Sequence, residues 1–209
     1  MLVSILIPTL LERRQTFNLM VEKLHRQITD NNLQKKVEVL SICDDRTLKL
    51  SDKRNTLQKL SNGKYFLHLD DDDKLSDDFC KTLVDHIENT IPIQMTCEPD
   101  VIAYDQICFV RDDIFVIKPS MNYGFRMERS PANAGGKKIH PEFFRFPWQW
   151  CLWHEKYKKV YRTDVDTNAR EDQNWLKKIT LEYPKTMSYV RDYVGHEYHF
   201  ENPELSTCQ

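Results

Sequence analysis

Short apolar runs alternate with longer amphipathic segments along the first third of the chain. The runs at residues 3–8, 37–42 and 65–69 are rich in β-branched or aromatic side chains, which predicts strands covered on both faces. After each run, apolar residues recur every three to four positions, which predicts a helix. This alternation indicates a parallel sheet with helices packed on it.

The limits of these helices are predicted from spacing and capping residues. The first helix is expected over residues 13–28, where apolar positions recur at helical spacing. Ser51 and Ser76 are expected to be the N-caps of the second and third helices, because a serine hydroxyl can accept a hydrogen bond from a backbone N–H of the first turn. One helix therefore follows each predicted strand.

The pattern changes in the second half of the chain. Residues 101–110 and 114–120 predict two strands with a tight connection, which suggests an antiparallel addition to the sheet. Residues 120–147 have weak periodicity and predict a long surface loop. Residues 171–179 predict a short helix, and residues 188–200 a final strand and loop. An α/β fold fits this order best, with a more irregular second half.

Length and composition favour one soluble domain over residues 1–209, with halves of about residues 1–100 and 101–209. The net charge of -2 shows no basic excess, which argues against a nucleic-acid partner. We expect no membrane-spanning segment and no signal peptide, since apolar runs fall far short of about 20 residues. The six cysteines are scattered, with no C-x-x-C pair, which favours reduced thiols and a cytoplasmic location.

Acidic side chains follow two of the predicted strands. Four consecutive aspartates, residues 70–73, come directly after the third strand, and Asp44 and Asp45 follow the second, while Thr9 follows the first. Since ligands bind beyond the carboxyl ends of parallel strands, we expect these residues at one rim of the sheet. Hard oxygen ligands there suit Mg²⁺ or Mn²⁺, which bind through one or two carboxylates plus substrate phosphates. The alternative is a solvated loop and helix cap.

Five sequence fragments, in this order, carry a resemblance to a known family: VSILIPTLLER, VEVLSICDD, DKRN, GKYFLHLDDDD and REDQNW. The chain resembles the GT-A glycosyltransferases, specifically the family-2-like inverting group, in which an Asp-x-Asp-Asp motif ends a strand and a Glu-Asp motif follows later. The resemblance covers roughly residues 2–80 and the Glu-Asp region. The chain is also similar to small capsid-modifying glycosyltransferases of large algal (chlorella) viruses.

This resemblance implies both a fold and an activity. The fold is the GT-A fold, a Rossmann-like nucleotide-binding half with a mostly parallel sheet flanked by helices, plus a smaller mixed or antiparallel acceptor half. The activity is the metal-dependent transfer of a hexose from a nucleotide-sugar donor, such as UDP-glucose, to a hydroxyl of a glycan or glycoprotein. Inversion at the anomeric carbon and a Mn²⁺ or Mg²⁺ cofactor belong to the same expectation.

Matching the motifs residue by residue implies a donor site. The positions that match nucleotide-sugar contacts are Pro8, Thr9, Glu12, Asp44, Asp45, Arg54, Asp70 and Asp71. Asp72 and Asp70 match the two metal-binding positions. Asp71 stands where the family has a small or apolar residue. The residue that binds the metal could therefore lie one position away from the one that the motif indicates. Arg54 matches an arginine near the nucleotide, and the alternative is that it forms a salt bridge on the protein surface.

The motifs also imply catalytic and acceptor residues. Asp172 matches the general base that removes the acceptor proton, and Glu171 matches an acceptor contact or a structural acid. Plain capping of a helix start is the alternative for both. His196 or His199 could complete the metal shell or contact the diphosphate, with an ordinary surface or core histidine as the alternative for each. Three aromatic rings could form an acceptor platform or belong to the core: Trp148, Trp150 and Trp153.

Other classes of protein fit the motifs less well. A haloacid-dehalogenase-like phosphatase places Asp-x-Asp after its first strand, whereas here it follows the third predicted strand. A sugar-nucleotide nucleotidyltransferase normally opens with a glycine-rich loop, and IPTLLERR contains no glycine. A non-catalytic sugar-binding or metal-binding domain of the same fold stays open, because binding alone would require many of the same residues.

Overall fold

The computed structural model describes residues 1–110, 113–124, 126–129, 141–163 and 171–200. The strands are β1 (Val3–Leu10), β2 (Val37–Asp44), β3 (Tyr65–His68), β4 (Lys74–Leu75), β5 (Val101–Val110), β6 (Asp113–Pro119), β7 (Glu128–Arg129), β8 (Glu142–Arg145), β9 (Leu152–His154) and β10 (Met187–Phe200). The helices are α1 (Arg14–Asp30), α2 (Leu50–Leu60), α3 (Phe79–Asp85), α4 (Ile91–Gln94) and α5 (Glu171–Leu181). A π-helical turn, His86–Thr90, joins α3 to α4.

The strands form one mixed sheet of ten strands, in which the main path runs β2-β1-β3-β9-β5-β6-β8-β7. β1 is parallel to β2 and β3, as the apolar runs predicted. β9 is antiparallel to both β3 and β5, and β5 and β6 form the predicted antiparallel pair. β10 lies beside β5 in parallel and also pairs with β4. The prediction of an α/β fold with a parallel first half and a mixed second half is confirmed.

The hydrophobic core lies between the sheet and its helices. Every residue of β1 is buried, as expected of a central strand. Trp153 and Trp175 are fully buried and pack edge to face, with ring centroids 5.8 Å apart. β2 was expected to be covered on both faces, but most of its residues are only partly buried or exposed. Its position at the end of the strand order explains this difference.

The predicted helix limits need two corrections. Ser51 is buried inside the first turn of α2, which begins at Leu50. Ser76 lies between β4 and α3, and its hydroxyl pairs with the hydroxyl of Tyr193 on β10. Ser76 therefore holds β10 against the segment before α3. Capping preferences describe local geometry only, so they cannot anticipate a tertiary partner of this kind.

Several short strands were not predicted. β4, β7, β8 and β9 are two to four residues long, which is too short for a period-two pattern. β7 and β8 lie within residues 120–147, where a loop was predicted, and residues 130–140 of that loop lie outside the described residues. Across the described ranges, no helix combines the length and apolar character needed to cross a bilayer.

Candidate active site

The ends of β1 and β3 form the rim where the sequence predicted a ligand site. Their parallel register, continued past the last paired residues, brings Thr9 level with Asp71. The Thr9 hydroxyl donates a hydrogen bond of 2.6 Å to the Asp71 carboxylate. Arg13 forms ion pairs with both Asp71, at 2.9 Å, and Asp72. The aspartate run is therefore bonded into the rim and is not simply a solvated loop.

The negative charge of this run is only partly balanced. Burial and, to a smaller extent, the charges of Asp72 and Asp70 raise the pKa of Asp71 to about 6, although the Thr9 hydrogen bond and Arg13 act in the opposite direction. Burial and the charge of Asp70 also raise the pKa of Asp72. Both ionised carboxylates are thus less stable here than in water, which is the electrostatic situation that an added cation would relieve.

The other two aspartates, Asp70 and Asp73, also have partners. Asp70 pairs with Arg54, and Asp73 accepts a 2.8 Å hydrogen bond from the backbone N–H of Asp70. Asp73 also lies 3.0 Å from Nε2 of His196, whose Nδ1 is 2.6 Å from the Gln106 amide nitrogen. Asp73 therefore supports the conformation of the loop.

Two cavities meet at Asp70. The first, which we name the β1 cavity, has a volume of about 260 Å³. Its lining residues are Pro8, Thr9, Leu10, Arg13, Arg46, Leu48, Leu50, Lys53, Asp70 and Asp71. The predicted donor residues Pro8, Thr9, Asp70 and Asp71 thus lie together around one cavity. Its three basic side chains make it suited to an anionic ligand.

The second cavity lies beside β5 and β6 and has a volume of about 390 Å³, and we name it the β5 cavity. Leu50 and Asp70 line both cavities. The wall of the β5 cavity includes apolar side chains of β5 and β6 such as Cys108 and Phe115, and it also includes Asp172. The two cavities therefore share Asp70, and the β5 cavity contains Asp172 as well.

The predicted Glu-Asp motif begins α5. Glu171 is buried and forms ion pairs with Arg54 and with Arg162, the latter at 2.7 Å. Both of its carboxylate oxygens are occupied by these arginines, which fits a structural acid. Asp172 lines the β5 cavity, and its carboxylate accepts a 2.7 Å hydrogen bond from the backbone N–H of Gln173. The two neighbours therefore have different environments.

The three tryptophans separate into two groups. Trp148 and Trp150 line the β5 cavity, whereas Trp153 is fully buried and packs against Tyr157 and Trp175. Trp153 belongs to the core because it lies on β9 between β3 and β5. The acceptor platform predicted from all three rings is thus corrected to the two that face the cavity.

Other predicted residues lie at or near the rim. Asp44 lies 2.5 Å from Nζ of Lys53 and accepts a 2.7 Å hydrogen bond from the backbone N–H of Leu48, so it holds a lysine of the β1 cavity. Glu12 is exposed and pairs with Arg46, another residue of that cavity. Asp45 is exposed and lines neither cavity.

Two further positions differ from the sequence expectation. Arg54 is only 3% exposed, so the alternative of a surface salt bridge is wrong. His199 stacks on Phe109 with ring centroids 4.3 Å apart, and of the two predicted histidines only His196 lines the β5 cavity. Sequence reasoning missed Arg13, although it directly follows the predicted nucleotide loop, and missed Arg145, for which no sequence signal existed.

The donor set at the rim fits a hard divalent cation. Asp70 and Asp72 offer carboxylate oxygens, and Mg²⁺ or Mn²⁺ needs only one or two of them when substrate phosphates and water complete the shell. In the described ranges, no three His, Cys, Asp or Glu side chains converge as a complete ligand set. A cation held by Asp70 and Asp72 would therefore need further ligands from a substrate or from water.

The architecture matches that of known solved structures. No protein-family model and no curated protein matches this chain. The crystal structure of S. aureus TarS 1-349 in complex with UDP-GlcNAc superimposes with a TM-score of 0.61 at 13% identity, covering 97% of this chain and 59% of that one. TarS 1-349 in complex with UDP gives a TM-score of 0.60 at 14% identity, covering 95% and 60%.

These likenesses define the class of fold. The mixed, largely parallel sheet flanked by helices is the GT-A glycosyltransferase fold, as predicted. The chain spans about three fifths of the length of the TarS 1-349 structures. The neighbours come from S. aureus and give no support to the resemblance to algal-virus enzymes.

Proposed function

We propose that this chain is a metal-dependent glycosyltransferase that moves a sugar from a UDP-sugar to an acceptor hydroxyl with inversion. The observation that carries the proposal is the position of Asp70 at the junction of the two cavities. One cavity has three basic side chains in its wall, and the other is lined by four carboxylates, including Asp172, and by two indole rings. A transferase of this type needs such a division, because donor and acceptor must meet at one carbon atom.

The β1 cavity is our proposed site for the nucleotide. Arg13, Arg46 and Lys53 line it and supply positive charge for a diphosphate. Pro8 and Thr9 border the same space and match the family's base-binding loop. TarS 1-349, which has a similar fold, has been crystallised with UDP-GlcNAc and with UDP. UDP-sugars are therefore the first donors to test.

Asp70 and Asp72 are our proposed ligands of Mn²⁺ or Mg²⁺. When bound, the cation would neutralise charge on the departing diphosphate. Arg13 already pairs with Asp72, and Arg54 with Asp70, so both carboxylates are oriented by arginines. Burial and the charge of Asp70 raise the pKa of Asp72, so the ionised carboxylate is unfavourable without a cation.

Asp172 is our proposed general base. Its place in the β5 cavity would let it accept the proton of an acceptor hydroxyl as that oxygen attacks the anomeric carbon. The new C–O bond forms on the face opposite the diphosphate, the old C–O bond breaks, and UDP leaves with the bonding electrons. Trp148 and Trp150 line the same cavity and would form an apolar part of the acceptor site.

Two measurements test this function. Calorimetry should find that UDP binds far more tightly with Mn²⁺ than with EDTA, and isotope-labelled UDP-glucose or UDP-GlcNAc should yield a labelled glycoside with a suitable acceptor. Equal UDP affinity in both conditions would refute the metal bridge. Metal-dependent UDP binding without transfer to any acceptor of a broad glycan panel would favour the non-catalytic alternative. Formation of a UDP-sugar from UTP and a sugar 1-phosphate would favour the nucleotidyltransferase.

A further inference from the structure

Among the described residues, five arginine and lysine side chains line the two cavities, and four of them have carboxylate partners. These ion pairs are Arg13 with Asp71 and Asp72, Arg46 with Glu12, Lys53 with Asp44, and Arg54 with Asp70 and Glu171. The fifth is Arg145, for which the described part of the chain provides no carboxylate at ion-pair distance. Arg145 is thus the one cavity cation that the described residues do not neutralise directly.

The surroundings of Arg145 are unfavourable for a lone cation. Its guanidinium carbon lies 3.4 Å from the centre of the Trp148 ring, an arrangement that orients the planar group through a cation–π contact. Its Nε is buried, and no described residue accepts a hydrogen bond from it. Burial lowers the pKa of Arg145 to about 10, with the charge of Asp172 acting in the opposite direction. Arg145 therefore stays charged at neutral pH.

The wall around this cation is mixed, because it carries carboxylates as well as apolar side chains, and the charge of Asp172 acts on Arg145. Cys108, Phe115 and Ile117 line the β5 cavity together with Arg145. A buried charge without a counter-ion is costly, and the cost is recovered when a ligand provides the opposite charge. A guanidinium presents its donors as a planar fork that matches the two oxygens of a carboxylate or a phosphate. Since no described carboxylate lies at ion-pair distance from Arg145, an oxyanion of a ligand would be a suitable partner for it.

We propose that the acceptor entering the β5 cavity carries an anionic group, a carboxylate or a phosphate, that Arg145 binds. The inference rests on the proposed function for the role of this cavity as the acceptor side. The donor is a less suitable source of the anion, because Arg145 does not line the β1 cavity. Arg145 instead shares its cavity with Asp172, the proposed base.

The test compares three sugars that differ only in charge at one position: methyl β-glucoside, methyl β-glucuronide and methyl β-glucoside 6-phosphate. Because Trp148 and Trp150 line the cavity, binding can be followed by intrinsic fluorescence without a donor. At least one anionic sugar should bind about ten-fold or more tightly than the neutral one, as expected of a hydrogen-bonded charge pair. The stronger of the two anions identifies carboxylate or phosphate as the natural group.

Variants assign the preference to one side chain. Arg145→Gln should remove the preference, and Arg145→Lys should keep part of it because the charge remains while the planar fork is lost. Arg26→Gln is the matched control, since Arg26 is exposed on α1 and lines neither cavity, and it should keep the whole preference. An unchanged affinity for UDP with Mn²⁺ in Arg145→Gln would show that the variant is folded.

Several results would overturn the inference. The first is equal binding of charged and neutral sugars by the parent protein. The second is a preference for anionic sugars that survives Arg145→Gln, and the third is a loss of UDP affinity in Arg145→Gln with that preference intact. The proposed function fails separately, through the absence of metal-dependent UDP binding and of transfer. An Arg145-dependent anion preference in a protein that binds no UDP would therefore refute the function while leaving an anion site.

Discussion

Arg54 and Glu171 form an ion pair in which each side chain is only 3% exposed. Arg54 extends the contact to Asp70, and Glu171 extends it to Arg162. The four side chains connect the end of β3, the helix α2 and the start of α5. Since Asp172 follows Glu171 directly, this buried chain of charges sets the position of the proposed base relative to the proposed metal ligand.

Removal of Glu171 should destabilise the fold strongly. Glu171→Gln leaves the buried guanidinium groups of Arg54 and Arg162 with less counter-charge, and breaking a buried pair in this way typically costs about 3–5 kcal/mol. Urea denaturation measures this free energy of unfolding. The matched control is Asp85→Asn, which breaks an exposed i,i+4 pair with Lys81 and should cost under about 1 kcal/mol. Similar losses in both variants would contradict the structural role of Glu171.

Replacement of Asp172 should separate binding from transfer. Asp172→Asn removes the proposed base but keeps the shape of the side chain, so transfer should fall by about 10² or more while the affinity for a UDP-sugar stays unchanged. Single-turnover transfer and calorimetry provide the two readouts. Near-normal transfer would assign proton removal to another group. A parallel loss of donor affinity would indicate that Asp172 belongs to the donor site.

Replacement of Asp72 should abolish stabilisation by metal and nucleotide without harming the empty protein. Ligand that binds only the folded state stabilises it by about 2.7 kcal/mol at a hundredfold excess over Kd, so Mn²⁺ plus UDP should raise the melting temperature of the parent. Asp72→Asn should lose most of this rise. Without ligand it should melt no lower, because burial and Asp70 raise the pKa of Asp72 and the ionised group is unfavourable there.

The control for this experiment is Asp77→Asn, which removes an exposed carboxylate whose side chain is 97% accessible. That variant should keep the full thermal shift with Mn²⁺ and UDP. A parent protein whose melting temperature does not respond to Mn²⁺ and UDP would exclude the proposed metal site. A full shift in Asp72→Asn would move the metal ligand to another aspartate of the run.

Asp100 should make stability depend on acid pH. Burial raises the pKa of Asp100, but the hydrogen bonds from Lys156 and from the backbone N–H groups of Lys185 and Thr186 outweigh it and lower the pKa from 3.8 to about 2. A carboxyl with a depressed folded-state pKa stabilises the fold above its unfolded value, and this contribution is lost as the pH falls towards about 2. Tyr157 donates a further hydrogen bond of 3.1 Å to this carboxylate.

The measurement is the free energy of unfolding over a series of acidic pH values. Asp100→Asn should be less stable than the parent at neutral pH, and the two curves should converge as the pH approaches about 2. Curves that stay parallel across this range would show that ionisation of Asp100 does not contribute. Asp85→Asn, which carries the same chemical change at an exposed position, should follow the parent throughout.

The sequence by itself determined the parallel half of the fold and the location of the rim. The apolar runs that form β1 and β3 are followed in the sequence by Thr9 and by Asp70, and the period of apolar residues in α1 indicates which face it buries. These signals are local, because periodicity and chain direction decide which residues reach the end of a parallel strand. Thr9, Asp70 and Asp71 could therefore be assigned to one rim, and the family resemblance added Pro8.

Only the tertiary structure decided which charged groups are paired and which rings face a cavity. It also revealed the strands that are too short to show an alternating pattern of apolar residues. Trp150 and Trp153 are close in sequence, yet one lines the β5 cavity and the other lies in the core. Arg54 has two carboxylate partners, whereas Arg145 has none among the described residues. Such differences arise because ion pairing and burial depend on distances between segments far apart in the chain, which local sequence patterns do not encode.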